Sequence, residues 1–354
     1  MRAKAEHRRV KPPTKAKPRR LAAKSAPSAR SVEAIEGARR GPLPSFVEPC
    51  LATLVAAPPE GDDWVHEIKF DGYRIEARID NGDVRLLTRK GLDWTERFGS
   101  LPRLLADLHR GSALIDAELV VEDAEGHSNF TALADALKSG QGEKFVLQCF
   151  DLLHLDGVNL VGAALEDRKA VLQKLLAKSS KTGPIRYSPH LRGDAAAMLA
   201  EACRLGLEGL ISKRADRPYR SGRHDDWLKS KCIQTDEFVV IGYLVSSVSK
   251  TAIGALVVGY YDRKRLVYAG RVGTGYTQQT AAELFRQLQP LRLSEPPITQ
   301  PLTGLQRRGV VWVRPVLVAQ VEYRAWTEDG LLRHPAFKGL REDKPAREVT
   351  LEVP

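Results

Sequence analysis

From about Phe46 onward, short apolar runs of strand length alternate with stretches whose apolar residues recur at helical spacing. Trp64–Phe70 and Tyr73–Ile79 read as strands, Val84–Thr88 follows an Asn-Gly turn, and Ala113–Val121 is another β-branched or alternating run. Arg168–Leu176 and Asp194–Leu205 have helical spacing, the second opening on an Asp suited to capping and ending near Gly206. After Ile233 strands dominate: Glu237–Val245, Ala255–Tyr261, Leu266–Val272 and Val310–Arg324, with one helical stretch near Ala281–Leu288. The pattern predicts an α+β domain over residues 41–233 and a small β-barrel over 234–354. The longest apolar runs, such as Phe238–Leu244 and Val316–Val321, fall short of the ~20 residues a membrane-spanning helix needs.

Residues 1–40 break this pattern. They are rich in Lys, Arg, Ala, Pro and Ser with almost no large apolar side chains, which predicts a disordered basic tail. No apolar stretch of a secretory signal occurs there, and Pro12, Pro13, Pro18 and Pro27 interrupt the amphipathic helix a transit peptide would need. A solvated linker is the plain reading, and weak DNA holding is compatible with it. The tail also carries the charge: of a formal net +11 over 354 residues, +10 lies in these 40, leaving −3 for 41–233 and +4 for 234–354. Net charge is therefore no argument for a nucleic-acid substrate. Cys50, Cys149, Cys203 and Cys232 are spread without C-x-x-C spacing, which predicts neither a disulfide framework nor a zinc knuckle, and an intracellular chain.

Chemistry first shows at Glu67-Ile-Lys-Phe-Asp-Gly-Tyr-Arg74, where a strand running into a Gly-containing turn puts Glu67, Lys69 and Asp71 on one face. A lysine so placed is a nucleophile if desolvation or neighbouring cations pull its pKa below ~10.4; otherwise the segment is a solvated strand end. Asp116 and Glu118 lie two apart in Leu114-Ile-Asp-Ala-Glu-Leu-Val120, an apolar setting where carboxylates pair with cations or bind a hard metal. Phe150-Asp-Leu152 ends an apolar strand with an aromatic that either joins the core or stacks on a base. Glu208-Gly-Leu-Ile-Ser-Lys213 adds a carboxylate and a lysine. Lys229 and Lys231 share a strand face, where two ammonium groups repel unless an anion such as phosphate lies between them. The mixed-charge run Arg333–Lys344 would by itself be a surface.

In this order the segments resemble the covalent nucleotidyltransferases, specifically the ATP-dependent DNA ligases, from Lys69 to Lys344. Lys69-x-Asp-Gly-x-Arg74 is similar to the nucleotide-accepting motif and Thr88-Arg-Lys-Gly91 to the short motif after it. Asp116-x-Glu118, Phe150-Asp-Leu152, Glu208-Gly209, Leu228-Lys-Ser-Lys231 and Arg341-Glu-Asp-Lys344 resemble the motifs that follow. Glu237-Phe-Val-Val-Ile-Gly-Tyr243 and Arg333-His-Pro-Ala-Phe-Lys-Gly-Leu-Arg341 look more particularly like the ligase module of bacterial non-homologous end-joining enzymes of the ligase D type.

The resemblance implies an adenylation (nucleotidyltransferase) domain followed by an OB-fold barrel. It also implies three steps: Lys69 takes AMP from ATP, AMP passes to a DNA 5′-phosphate, and a 3′-hydroxyl displaces it. By the same analogy Glu67 meets the adenine amino group, Arg74 the sugar or phosphate, and Arg89 the nucleotide or DNA. Glu118 holds the ribose or a metal, Phe150 stacks on adenine, and Glu208 binds metal, Mg²⁺ or Mn²⁺. Lys229 and Lys231 grip the α-phosphate, while Arg341, Asp343 and Lys344 orient pyrophosphate; Tyr219 and Arg223 are further candidates. The implied partners are nicked or broken duplex DNA and an end-binding protein of the Ku type, for a monomer in the cytoplasm, at the nucleoid. NAD-dependent ligases share the first motif but carry a nicotinamide-binding segment before it and a cysteine cluster after the barrel, which favours ATP here. An RNA ligase or a GTP-using capping enzyme shares the lysine chemistry. A DNA-end-binding scaffold with a decayed site is the non-enzymatic alternative, and the presence of every expected reactive side chain stands against it.

Overall fold

The computed structural model describes residues 29–180 and 182–351, so residues 1–28 of the predicted tail lie outside the described residues. From Ala29 the chain departs from the expected disorder. Helix α1 (Ala29–Glu33) and strand β1 (Arg39–Arg40) are formed, and Val32 is buried, with Ile35 packed beside it, because these two apolar side chains find a face of the core to cover.

There follow β2 (Cys50–Leu54), β3 (Trp64–Ile68), β4 (Tyr73–Asp80), β5 (Asp83–Thr88), α2 (Leu101–Leu108), β6 (Ser112–Val121) and α3 (Phe130–Ser139). Next come β7 (Phe145–Leu155), β8 (Val158–Asn159), α4 (Leu165–Leu175), β9 (Ile185–Tyr187), α5 (Ala195–Arg204), β10 (Gly209–Arg214) and β11 (Gly222–Lys231). The predicted α5 forms with Asp194 as its cap, the carboxylate accepting from Ala197 N–H. Strands β1-β8-β7-β6-β4-β5, with β9 on β7, make one sheet, and β2-β11-β10-β3 a second. Strand β7 is buried at every residue because both faces of its sheet are covered. Ile75, Ile115 and Leu147 pack under α2, α3 and α4, while Leu114 and Phe150 meet Cys50 and Trp227 of the second sheet.

The rest is a barrel: β12 (Gln234–Val245), β13 (Ile253–Asp262), β14 (Arg265–Val272), α6 (Gln278–Leu288), α7 (Gly304–Arg307), β15 (Val310–Trp312), β16 (Val318–Tyr323), β17 (Ala325–Trp326), β18 (Leu332–Arg333) and β19 (Ala336–Arg341). Its strands run β14-β13-β12-β16-β19, with β15 on β12, and α6 packs Ala281, Leu284 and Leu288 against Phe238, Val258 and Val321. The single run expected over Val310–Arg324 is two strands, since Pro315 between them offers no N–H to a ladder. The barrel is closed on the two-sheet domain: Tyr73 Oη donates to Leu340 O (3.2 Å) and Thr131 Oγ1 to Lys338 O (2.9 Å). Lys138–Glu283 (3.2 Å) and Arg97–Glu342 (2.9 Å) pair across the same seam.

The cysteine expectation is corrected. Cys203, in the last turn of α5, and Cys232, just after β11, form a disulfide with Cα atoms 5.1 Å apart. Residue 232 is drawn there because its N–H donates to Glu208 O (2.9 Å), and a separation of 29 residues has no short-range signature. Among the described residues no helix is long and apolar enough to cross a membrane.

Candidate active site

Strand β3 stops at Ile68, and Lys69 N–H donates to Gly209 O (2.9 Å), so the lysine leaves the strand beside the start of β10. The two motif glycines have steric causes. A Cβ on Gly72 would lie 2.1 Å from Leu119 O, and one on Gly209, at φ +147°, 2.1 Å from Ser230 O.

One cavity between the two sheets and the barrel is lined by Glu67, Lys69, Arg74, Arg89, Glu118, Phe150, Glu208, Lys229, Lys231, Arg341 and Lys344. These segments, spread over most of the chain, converge there. Three sequence candidates stand back from it. Asp343 is buried behind Arg341, which donates to both its oxygens (2.9 and 2.8 Å). Tyr219 is buried, donating to Asp116 Oδ2 (2.6 Å) and accepting from Cys50 N–H (2.9 Å). Arg223 donates to Ala52 O at the edge of β2.

Lys69 is ion-paired with Glu208. Burial alone would lower its pKa, but Glu208, Asp71 and Glu118 outweigh that and hold the amine above its ordinary value. The expected downward pull is thus reversed: in this state Lys69 is an ammonium, and it becomes nucleophilic only when a proton leaves. Glu208 is raised, chiefly by burial, and its Oε2 is buried without a hydrogen-bond partner. Burial likewise raises Glu118 to about 7.

At one end of the cavity Glu67 Oε1 accepts from Lys169 Nζ (2.8 Å) and Lys213 Nζ (3.0 Å), and Oε2 from Ser188 Oγ (3.1 Å). Burial would raise Glu67, but the two ammonium groups prevail and keep its carboxyl below the usual range. Lys213 lies over Phe150 and Trp227 at 4.3 and 4.1 Å from the ring centres, and burial lowers it to about 8. Arg74 is held by Asp116 through two bonds (2.5 and 2.6 Å) and lies 4.4 Å from the Phe150 ring centre.

At the other end cations converge from β11 and the barrel. Lys231 Nζ donates to Thr235 O (2.7 Å) and Asp236 Oδ1 (2.6 Å), and Lys344 pairs with Glu237. Arg341 Nη1 donates to Gln320 Oε1 (2.8 Å) and to Gly72 O (3.2 Å), fastening the barrel over the first motif. Burial would raise Glu237, but Arg341 and Lys344 bring it down to about 2. The sequence reading missed Lys169, Ser188, Gln320 and Glu237 in their roles. Lys169 had a signal: Leu165, Arg168, Lys169 and Leu172 share a helix face that is otherwise core.

Among the described residues no three His, Cys, Asp or Glu side chains form a metal cage. The unpartnered Glu208 Oε2, with Glu118 across Lys69, does fit one hard divalent ion whose remaining ligands are substrate oxygens and water.

A half-buried lysine ringed by carboxylates and cations, under a barrel whose own Arg and Lys reach into the cavity, defines a lysine-type nucleotidyltransferase site. Residues 49–231 match the family model for the ATP-dependent DNA ligase domain, and 249–344 that for the ATP-dependent DNA ligase C-terminal region. The chain belongs to the ATP-dependent DNA ligase family. It is 43% identical over 331 residues to the multifunctional non-homologous end joining protein LigD of Pseudomonas aeruginosa, covering 93% of this chain and 39% of that protein. With the non-homologous end joining DNA repair protein LigD of Mycobacterium tuberculosis it shares 36% over 307 residues, 86% of this chain and 40% of that one. The chain thus spans about two fifths of the length of these relatives. A solved structure of mycobacterial DNA ligase D complexed with ATP and MES aligns with a TM-score of 0.66 at 35% identity, covering 87% of this chain and 99% of that one.

Proposed function

We propose that this chain seals 5′-phosphate and 3′-hydroxyl ends of nicked or broken duplex DNA at the expense of ATP, in end-joining repair. The observation that carries the reading is the Lys69 amine, paired with Glu208 inside a cavity that collects cations from two domains. Lys69 Nζ attacks the α-phosphorus of ATP; an N–P bond forms as the bond to pyrophosphate breaks. Glu208 is the base at hand for the proton Lys69 must lose. Lys229 and Lys231 neutralise the α-phosphate, while Arg341, steadied by Asp343, and Lys344 take the charge growing on pyrophosphate. Glu67 and Phe150 hold the base, Arg74 braced by Asp116 the sugar, and Arg89 the nucleotide or DNA. A Mg²⁺ or Mn²⁺ ion held by Glu118 and Glu208 would supply positive charge against the reacting phosphate. AMP then passes from Lys69 to the DNA 5′-phosphate, and the 3′-hydroxyl displaces it.

We read 41–233, with residues 29–40 packed onto it, as the adenylation unit and 234–354 as the OB unit; their separate cores support the division at 233. The names of the relatives support the repair setting, and we add to the proposal an end-binding partner of the Ku type, a monomer, and a cytoplasmic place at the nucleoid. Incubation with α-labelled ATP followed by denaturing electrophoresis tests the first step. Wild type is expected to carry label and Lys69→Ala to carry none, while Lys69→Ala still seals a pre-adenylated nick. Efficient sealing from ATP by Lys69→Ala overturns the mechanism, and label from GTP alone points instead to the capping-type alternative.

A further inference from the structure

Lys169 is fully buried in α4 and does not line the cavity. Its three N–H groups are all used: on Glu67 Oε1 (2.8 Å), on Ser188 O (3.0 Å) and on Phe150 O (3.3 Å). One side chain thereby ties β3, β7 and the segment after β9 to a single carboxylate. Ser188 Oγ holds the other oxygen at 3.1 Å. Glu67 cannot rotate without breaking these bonds, and beside the Lys169 ammonium and that of Lys213, which donates to the same oxygen (3.0 Å), it stays ionised, an acceptor with no proton to give.

That restriction has a chemical meaning at the base. A 6-aminopurine offers an exocyclic N–H to an acceptor, whereas a 6-oxopurine presents oxygen lone pairs that a carboxylate repels. We propose that Lys169 is a positioning residue which, with Ser188, fixes Glu67 as an oriented acceptor and so sets selection of a 6-aminopurine nucleotide over a 6-oxopurine one. The inference rests on the reading that Glu67 meets the base. Its alternative is a lysine that serves only as a buried counter-charge for the fold.

The test compares lysine labelling by ATP and by ITP, a 6-oxo probe, in the full chain. The ratio of kcat/KM for the two nucleotides is measured for wild type, Lys169→Met, Lys169→Arg and Ser188→Ala, with the Tm of each. Lys169→Met is expected to lower the ATP:ITP ratio roughly tenfold, mainly through KM for ATP, as one strong hydrogen bond to a charged group is lost. Lys169→Arg, which keeps charge and donors, should retain most of the ratio. If Lys169→Met does not fold, Ser188→Ala carries the test with an expected fall of roughly threefold. An unchanged ratio at lowered Tm makes Lys169 a structural counter-charge and overturns the proposal, as does an equal fall in the Arg and Met variants. Glu67→Gln separates this from failure of the reading beneath it. If Glu67→Gln leaves the ratio unmoved, Glu67 does not read the base; if it moves the ratio and Lys169→Met does not, only the role of Lys169 falls.

Discussion

The two ends of the cavity hold similar charges in opposite ways. At the end that the proposal gives to the base, Lys169, Lys213 and Glu67 are at most 3% exposed, and their ion pairs close on one another. At the end that it gives to the phosphates, Lys69 is 18% and Lys344 13% exposed, each paired with one carboxylate, Glu208 or Glu237, at the cavity wall, while Lys231 is 3% exposed. A sealed network that loses a member leaves a charge buried without compensation. A cation at a cavity wall can exchange its carboxylate for a phosphate, one anion for another, without that penalty. The base end is therefore built as scaffold, while at the phosphate end Lys69 and Lys344 are exchangeable pairs beside a Lys231 that is itself held by Thr235 O and Asp236.

The sharpest way to break this contrast is to truncate one carboxylate at each end. Glu67→Ala strands two buried ammonium groups and should cost about 3–5 kcal/mol of stability, read by denaturant unfolding. Glu208→Ala should cost only about 1 kcal/mol, because Lys69 keeps Asp71, Glu118 and solvent. Lysine labelling by ATP should nevertheless fall about a hundredfold or more in Glu208→Ala. Equal stability losses would erase the distinction between the two ends.

The phosphate end has a covalent support of its own, since Cys232 follows Lys231 directly and is bonded to Cys203. Cys203→Ser should lower stability by about 2–4 kcal/mol without reductant, and reductant should bring wild type to the same value. Insensitivity of wild type to reductant would show that the bond does not persist in solution.

Protonation gives a smaller effect than loss of Glu67 or of the disulfide. The folded state raises Glu118 from 4.5 to about 7 through burial, so the fold favours its protonated form. Its contribution to stability is complete below about 4.5 and is lost as pH rises through 7, a fall of about 1–3 kcal/mol. Glu118→Gln should flatten that slope in unfolding curves taken from pH 4.5 to 8, and an unchanged slope would place the titration elsewhere.

Much of the site was legible because its elements are short-range. Period-two alternation puts Glu67, Lys69 and Asp71 together, and all three do line one cavity. The Asp194 cap and the strands of both units follow local patterns in the same way. Motif order pointed to Glu208, Lys229, Lys231, Arg341 and Lys344 at the same cavity. What could not be read are the partners. Nothing near Lys169 in sequence names Glu67, 102 residues away, and nothing near Cys203 names Cys232. The lowered lysine pKa expected for Lys69 required knowing whether carboxylates or cations would surround it, and it was carboxylates. Residues 29–40 were judged by composition, which does not register that Val32 and Ile35 have a core to cover.

The sequence by itself determined many of the strands and helices from about residue 46 onward, and which reactive side chains the chain possesses. Those follow from backbone geometry and local periodicity, which act over a few residues. Only the tertiary structure decided that Lys69 rests as an ammonium on Glu208, that Glu67 is locked by Lys169, and that the barrel's Arg341 reaches across to Gly72 O. Charges interact through space over a few ångströms, so their partners, and with them their protonation, exist only once distant strands have been brought side by side.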